Sequence, residues 1–215
     1  MSVAIAPAVL ADTPEGYKET LERIHTFAQR IHIDLSDGTF APTTTIAANQ
    51  IWWPQEWQAD IHAMVADPLQ YVDLLIAMKP PLIIFHAELQ TDLLPVLQKI
   101  KTAGIKAGVS LMRATVPSNV TPYIEAADHI MIFSGDLGKY GGTASMMQLE
   151  KVRLIRNINA GVEIGWDGGV SAENAFGLAQ GGVDVLNVGG AIQKAADAED
   201  AYATLVKEVN KQGVM

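Results

Sequence analysis

Cysteine is the first residue type that this sequence lacks, since none of its 215 residues is a cysteine. Its absence excludes disulfide bonds and every metal site built on thiolate sulfur. A metal ion bound by this chain must therefore be held by histidine and carboxylate side chains. The sequence contains 5 histidines and 24 acidic residues, so both kinds of ligand are available.

Long apolar runs and an excess of basic residues are also missing. No stretch approaches the ~20 apolar residues that a membrane-spanning helix needs. The formal net charge is -9, which disfavours nucleic acid and anionic membranes as partners, because both bind basic surfaces. A small phosphate compound remains open as a ligand, since local backbone N–H groups can hold it. The N-terminal segment MSVAIAPAVLADTPEG has no basic start and is typical of a strand rather than a signal peptide. We therefore predict a cytoplasmic protein.

What the sequence does contain is a regular alternation of apolar strand-like runs and amphipathic helical segments. Eight strand–helix units follow one another without a linker or charge block, and an irregular stretch covers residues 49–57. Buried parallel strands covered by helices produce this pattern. Eight units in this length fit one (β/α)8 TIM barrel domain over residues 1–215, with an open doubly wound sheet as the alternative. Strands are predicted at residues 3–10, 30–35, 58–65, 81–89, 105–112, 129–135, 162–169 and 183–190. Helices are predicted at residues 13–29, 67–78, 91–104, 119–127, 146–159, 171–182 and 198–212.

Histidine and aspartate side chains lie inside these predicted strands, where burial is expected. His32 and Asp34 share one face of the second strand, while the aliphatic residues between and beside them point to the other face. His62 shares a face of the third strand with Met64, and Asp167 ends the seventh strand. In a barrel of this kind the chemistry gathers at the C-terminal ends of the strands. We therefore expect the four polar side chains to lie close together.

Two imidazoles and two carboxylates are a ligand set that suits a divalent transition metal. If these groups pointed into the barrel without a partner, burying each charge would destabilise the fold by several kcal/mol. The pattern therefore predicts a metal site, and a hydrogen-bonded polar plug is the alternative. Taken singly, the other histidines and several acidic residues are interpreted as structural or turn residues; these are His25, Asp37, Asp60, His86, Glu88 and His129.

Three Gly-Gly pairs follow the sixth, seventh and eighth predicted strands. Barrels commonly hold phosphate groups with the loops after the last strands and a short helix N-terminus. One pair alone would be weak evidence because glycine also serves turns. Three consecutive pairs favour a phosphate site, with the candidates Gly141, Gly142, Gly168, Gly169, Gly189 and Gly190.

In this order the motifs resemble the ribulose-phosphate 3-epimerase family over nearly the whole chain. The resemblance runs through IAPAVLAD, HIDLSDGTFAPT, DIHAMVADP, FHAE, AGIKAGVSL, GGT, DGGVSAENA and GGAI. It implies a TIM barrel of the ribulose-phosphate-binding type that inverts the carbon next to the carbonyl of a ketose phosphate, through a metal-stabilised enediolate. The most direct expectation is C3 epimerisation of D-ribulose 5-phosphate to D-xylulose 5-phosphate in the pentose phosphate pathway.

The resemblance also implies a role for each candidate residue. His32, Asp34, His62 and Asp167 would bind one divalent metal ion, which could be zinc, iron, manganese or cobalt. Asp34 and Asp167 would also transfer the proton, one on each face of the substrate. Met64 would line the floor of the site, and the six glycines named above would hold the phosphate.

The chain departs from the family pattern at several positions. Ala11 is expected at the position of a serine in the first-strand motif, and Ser36 stands where the family usually has methionine. The loop after the sixth strand reads SGDLGKYGGT, with Lys139 and Tyr140 ahead of the glycines. Because this loop covers the substrate in the family, the sequence leaves the identity of the sugar open.

Three alternatives follow from these departures. A hexulose phosphate such as allulose 6-phosphate could be the substrate of the same reaction, or the barrel could bind a sugar phosphate without catalysis. A lyase or aldolase would need a lysine near the reacting carbon, and Lys139 is the only loop candidate that the sequence suggests.

The apolar IWWP segment, with Trp52 and Trp53, could form a homo-oligomer contact or close the bottom of the barrel.

Overall fold

The computed structural model describes residues 3–211, which form a closed barrel of eight parallel strands. Each strand pairs with the next, and β8 pairs with β1. The predicted (β/α)8 barrel is confirmed, and the open doubly wound sheet is wrong. The strands are β1 Ala4–Val9, β2 Arg30–Ser36, β3 Gln58–Met64, β4 Leu82–His86, β5 Lys106–Leu111, β6 His129–Phe133, β7 Glu163–Asp167 and β8 Val185–Val188.

Helices cover the outside of the barrel. They are α1 Pro14–Ile24, α2 Val72–Met78, α3 Leu93–Thr102, α4 Thr121–Ala126, α5 Glu150–Ile158, α6 Ala175–Gln180, α7 Gly190–Gln193 and α8 Ala198–Val209. Thr13 caps α1 by accepting a hydrogen bond from the Gly16 amide, and Pro14 occupies the first turn. In the described part of the chain, no helix is long and apolar enough to cross a membrane.

Several predicted boundaries are wrong. The first helix ends at Ile24 rather than at residue 29, because the chain turns there to enter β2. Between β2 and β3 the predicted irregular stretch is confirmed, since the structure has a short 3₁₀ helix at Ala48–Gln50 followed by an extended segment. Ser171 and Asn174 form a capping turn, which delays α6 until Ala175. The last helix ends at Val209 rather than at residue 212, since the chain is no longer helical at Asn210 and Lys211.

Strand alternation divides the side chains of the barrel into two sets. In β2 the outward residues Ile31, Ile33 and Leu35 belong to the large apolar core between strands and helices. A separate small cluster made of Leu82, Ile84, Met131 and Phe133 belongs to the inward side of β4 and β6. Alternation therefore places the even-numbered residues of β2 and β3 inside the barrel, as the sequence predicts.

The β2–β3 ladder fixes the relative height of the polar residues. It pairs His32 with Asp60 and Asp34 with His62 across the two strands. This register puts the inward side chains of the two strands next to each other near their C-terminal ends.

The tryptophan segment lies outside the barrel. Trp52 packs edge-on against Tyr17 of α1, with ring centroids 6.2 Å apart. The Tyr17 hydroxyl also donates a hydrogen bond to the backbone carbonyl of Trp52. The side chain of Trp52 is 49% exposed. The segment therefore belongs to the helical layer and does not close the bottom of the barrel.

Candidate metal centre and active site

Four side chains from three strands converge at the C-terminal end of the barrel. His32, Asp34, His62 and Asp167 each offer one ligand atom, and these atoms lie within 4.8 Å of one another. Nδ1 of His62 is 2.8 Å from Oδ1 of Asp34, and Nε2 of His32 is 3.6 Å from Oδ2 of Asp167. The structure thus brings together the whole set that the sequence predicts as metal ligands.

The two aspartates have different electrostatic environments. Burial raises the pKa of Asp34, but its close contacts with the His32 and His62 rings outweigh burial, so the pKa lies well below its usual value. Burial and the neighbouring negative charge of Asp34 raise the pKa of Asp167 above its usual value. Two carboxylates whose environments move their pKa values apart are typical of acid–base sites.

His32 provides a test of whether a metal fits this cluster. Its side chain is completely buried, and neither ring nitrogen has a hydrogen-bond partner among the described residues. Nε2 faces Asp34 and Asp167 at 3.4 and 3.6 Å. A buried polar atom without a partner is costly, and a cation between these oxygens and nitrogens would satisfy it. The residues present fit a divalent ion with nitrogen and oxygen ligands.

The cluster extends to two residues that the sequence did not assign to it. Nε2 of His86 lies 2.8 Å from Nε2 of His62, and Nδ1 of His86 lies 3.3 Å from Oε2 of Glu88. Burial lowers the pKa of His86 to about 4, so the ring is neutral at physiological pH. Taken singly, both residues are interpreted as structural from the sequence. The FHAE motif, with its polar residues on one strand face, is the only signal for them.

Above the cluster lies a cavity of about 350 Å³. Asp34, Met64 and Asp167 form part of its lining, and all six glycines predicted to hold phosphate also line it, namely Gly141, Gly142, Gly168, Gly169, Gly189 and Gly190. A Cβ atom on Gly168, whose φ is +102°, would lie 2.0 Å from the backbone nitrogen of Gly135. Glycine is therefore required where the loops after β6 and β7 approach each other.

The loop after β6 closes over the first strand. The Tyr140 hydroxyl accepts a 2.6 Å hydrogen bond from the Leu10 amide and donates to the Ala8 carbonyl at 3.2 Å. A Cβ atom on Gly189 would lie 2.5 Å from the Tyr140 ring. Tyr140 therefore fills one wall of the cavity, and glycine at position 189 leaves the ring the space that it needs.

Three sequence departures have a clear structural outcome. Ala8 lines the cavity, whereas Ala11 lines a separate surface depression. Ser36 donates a hydrogen bond to the Thr43 carbonyl. Lys194 lines the cavity together with Lys139, so Lys139 is not the only lysine near the site.

Comparison with known proteins extends over the whole length of the chain. The sequence profile of the Ribulose-phosphate 3 epimerase family matches residues 4–193. The chain is 32% identical to ribulose-phosphate 3-epimerase of Mycobacterium leprae in an alignment 218 positions long that covers 95% of this chain and 94% of that protein. It is 29% identical to the cytoplasmic isoform of that enzyme from Oryza sativa in an alignment 214 positions long that covers 95% of this chain and 93% of that protein.

Solved structures with much lower identity share the fold. 3-Hexulose-6-phosphate synthase from Salmonella typhimurium superposes with a TM-score of 0.69 at 16% identity, covering 96% of this chain and 98% of that one. KGPDC from Streptococcus mutans gives a TM-score of 0.72 at 12% identity, covering 97% and 98%. At these identities the likeness establishes the barrel architecture.

Proposed function

The chain belongs to the ribulose-phosphate 3-epimerase family, and from that premise we propose that it inverts C3 of D-ribulose 5-phosphate to give D-xylulose 5-phosphate. It is an isomerase, an epimerase that acts on carbohydrate phosphates. The observation that carries the proposal is the convergence of His32, Asp34, His62 and Asp167 at the floor of one cavity.

Asp34 and Asp167 act as the acid–base pair. The carboxylate on one side of the substrate removes the C3 proton, and the carboxylic acid on the other side delivers a proton to the opposite face. Because the reaction is reversible, each aspartate is the base in one direction and the acid in the other. The opposite directions of their pKa shifts support one ionised and one protonated member.

His32 and His62 complete the ligand set for a divalent ion with the two aspartates. The chemistry supplied by such an ion is Lewis-acid stabilisation of the negative charge that develops on the substrate oxygens. Zinc, iron, manganese and cobalt all suit this set. Full burial of both histidine rings fixes their orientation and excludes water from the side of the cluster that faces the barrel.

The glycine loops hold the phosphate at the other end of the cavity. Their amides can approach an anion closely because no Cβ atoms intervene. Lys139 and Lys194 lie in the same lining and add positive charge to a chain whose net charge is -9. Met64, which is 1% exposed, supplies an apolar part of the floor. Because the similar rice protein is a cytoplasmic isoform, we propose that this protein is also located in the cytoplasm.

The test uses metal-reconstituted protein and D-ribulose 5-phosphate in deuterated water, with the C3 proton and the product followed by NMR. We expect loss of the C3 signal together with formation of xylulose 5-phosphate. Asp34→Asn and Asp167→Asn should each lower the rate by about 10²–10⁴-fold, the usual contribution of a general acid or base. Asp37→Asn is the matched control, because Asp37 binds backbone amides in the turn after β2 and should leave the rate unchanged.

The outcomes separate the alternatives. Proton exchange without inversion would mean that one of the two aspartates is misassigned. No exchange in protein with bound metal would reject this substrate and favour a hexulose phosphate such as allulose 6-phosphate. Failure with both sugars would leave a barrel that binds a sugar phosphate without catalysis.

A further inference from the structure

A line of polar contacts runs from His62 behind the proposed metal ligands to His86 and Glu88, two groups that the proposed reaction does not use. It starts at His62, whose Nε2 points away from the cluster and lies 2.8 Å from Nε2 of His86. From the other ring nitrogen of His86 the line continues to Oε2 of Glu88 at 3.3 Å. Both histidine rings are completely buried, and the Glu88 side chain is 20% exposed.

Glu88 is held firmly as an acceptor. Its Oε1 accepts a 2.8 Å hydrogen bond from the Met112 amide and another from the Thr115 hydroxyl. The Lys151 ammonium secures the same loop by donating to the carbonyls of Met112 and Arg113. An ionised carboxylate only accepts hydrogen bonds. The hydrogen bond at this end of the line therefore has one possible direction, from His86 to Glu88.

That polarity determines which nitrogen of each histidine carries the proton. Because Glu88 only accepts, Nδ1 of His86 carries a proton and donates it. In a neutral ring Nε2 of His86 is then an acceptor, and it receives the proton on Nε2 of His62. When an ion occupies the cluster, Nδ1 of His62 presents its lone pair to that ion, since this is the atom that faces Asp34 and Asp167.

Aromatic neighbours keep the two rings in this arrangement. Phe133 packs against both His62 and His86, with centroid distances of 5.9 and 5.8 Å. Phe40 covers the other side of His86 at 4.7 Å. The rings are thereby held in place, and the surrounding apolar surface leaves the histidine–histidine hydrogen bond without competition from water.

We propose that His86 and Glu88 are positioning residues for the metal centre: Glu88 holds His86 in the Nδ1–H tautomer, and His86 accepts the Nε2 proton of His62, which leaves Nδ1 of His62 free to bind the ion. The inference rests on the proposed function, because it needs a divalent ion at the cluster. Partners of this kind orient histidine ligands in metal sites, and their removal typically lowers metal affinity by about 10–100-fold.

Zinc affinity, measured by competition with a chromogenic chelator, provides the first readout. Glu88→Gln keeps the shape but no longer fixes the direction of the hydrogen bonds, and His86→Phe removes the acceptor. Both should weaken zinc binding by about 10–100-fold. His86→Gln places an amide oxygen near the lost nitrogen and should restore most of the affinity.

The matched control is the other buried histidine–glutamate pair inside this barrel. Nδ1 of His129 lies 2.7 Å from Oε2 of Glu163 at the opposite end of the strands. His129→Phe is the same change in side chain as His86→Phe, and the folded protein should bind zinc with wild-type affinity. A general loss of packing inside the barrel would instead weaken zinc binding in both variants.

Long-range proton–nitrogen NMR of the zinc-loaded wild-type protein gives a second readout that does not depend on activity. We expect His86 to carry its proton on Nδ1 and His62 to carry its proton on Nε2. In Glu88→Gln the His86 signals should shift toward the other tautomer. A proton on Nε2 of His86 in the wild type would overturn the proposal, since His86 could then not accept the Nε2 proton of His62.

The proposal and the proposed function can fail separately. Wild-type zinc affinity in both Glu88→Gln and His86→Phe would overturn the positioning role, even in an active epimerase. Tight zinc binding with the expected tautomers, but no proton exchange on any ketose phosphate, would support the positioning role and overturn the proposed reaction. A wild-type protein that binds no zinc, manganese, cobalt or iron at the cluster would overturn both.

Discussion

The two ends of the barrel interior are built from the same strands and the same residue types, yet only one end is electrostatically complete. At the N-terminal end, Arg30 donates to Asp60 at 2.7 Å and makes a two-point contact with Glu163 at 2.8 and 2.9 Å. At the C-terminal end, the ion pairs of Asp34 and Asp167 are made with His32 and His62, and none is made with an arginine or lysine of the described residues.

The difference is visible in individual atoms. Burial would raise the pKa of Glu163, but hydrogen bonds from Arg30 and His129 lower it well below its usual value. Asp167, in contrast, has a raised pKa because of burial and its neighbour Asp34. A guanidinium balances the carboxylates at one end, whereas the other end has a place for a cation that the chain itself does not supply.

The comparison teaches how to distinguish a structural cluster of buried charges from a functional one. Counting histidines and acids does not separate the two ends, since both have them. What separates them is whether the chain provides its own counter-charge. The three predictions that follow change this balance at one end at a time.

The largest expected effect is on stability at the N-terminal end. Arg30→Met should lower the free energy of unfolding by about 3–5 kcal/mol, because it leaves the buried Asp60 and the partly exposed Glu163 without their cation. Urea unfolding measures the change, and the activity per folded molecule should be retained. Lys18→Met is the control, because the exposed Lys18–Glu22 pair should contribute less than ~0.5 kcal/mol. Equal losses in the two variants would contradict the prediction.

The next effect is the response to metal at the C-terminal end. Zinc at about 100 times its dissociation constant should raise the free energy of unfolding by ~2.7 kcal/mol through mass action. The increment should persist in Arg30→Met and disappear at the same zinc concentration in His32→Ala. Thermal or urea unfolding with and without chelator measures it. An increment that survives in His32→Ala would place the ion elsewhere.

The smallest effect concerns two matched carboxylate substitutions in metal-free protein. Asp167→Asn should stabilise the fold by about 1 kcal/mol, because it removes a negative charge that its surroundings disfavour. Glu163→Gln should destabilise it, because it removes a charge that Arg30 and His129 stabilise. Urea unfolding in the presence of chelator compares the two. Destabilisation by both substitutions would mean that the ends are electrostatically alike.

Much of this arrangement could be predicted from the sequence because strand alternation is a strict geometric rule. The period of two in RIHIDL places His32 and Asp34 on one face, and the same rule places His62 on its strand. Barrel topology then supplies the common end of the strands. The position of the glycine pairs around one cavity was predictable for the same reason, because the loops after consecutive strands are neighbours.

The parts that could not be predicted depend on contacts across the barrel. His86 and Glu88 look like ordinary strand-end residues in the sequence because no local pattern reports that His86 meets His62, 24 residues away. The Tyr140 hydroxyl binds the Leu10 amide across 130 residues of sequence.

The register between β2 and β3 has a consequence for how this chain can vary. Seven consecutive residues of β2 pair with seven of β3, from Arg30 with Gln58 to Ser36 with Met64. A single-residue insertion or deletion within either strand would exchange inside and outside for every residue beyond it. Asp34 would then face the helices, and Ile33 or Leu35 would enter the cavity. The length of these two strands between the two polar clusters is therefore not free to change.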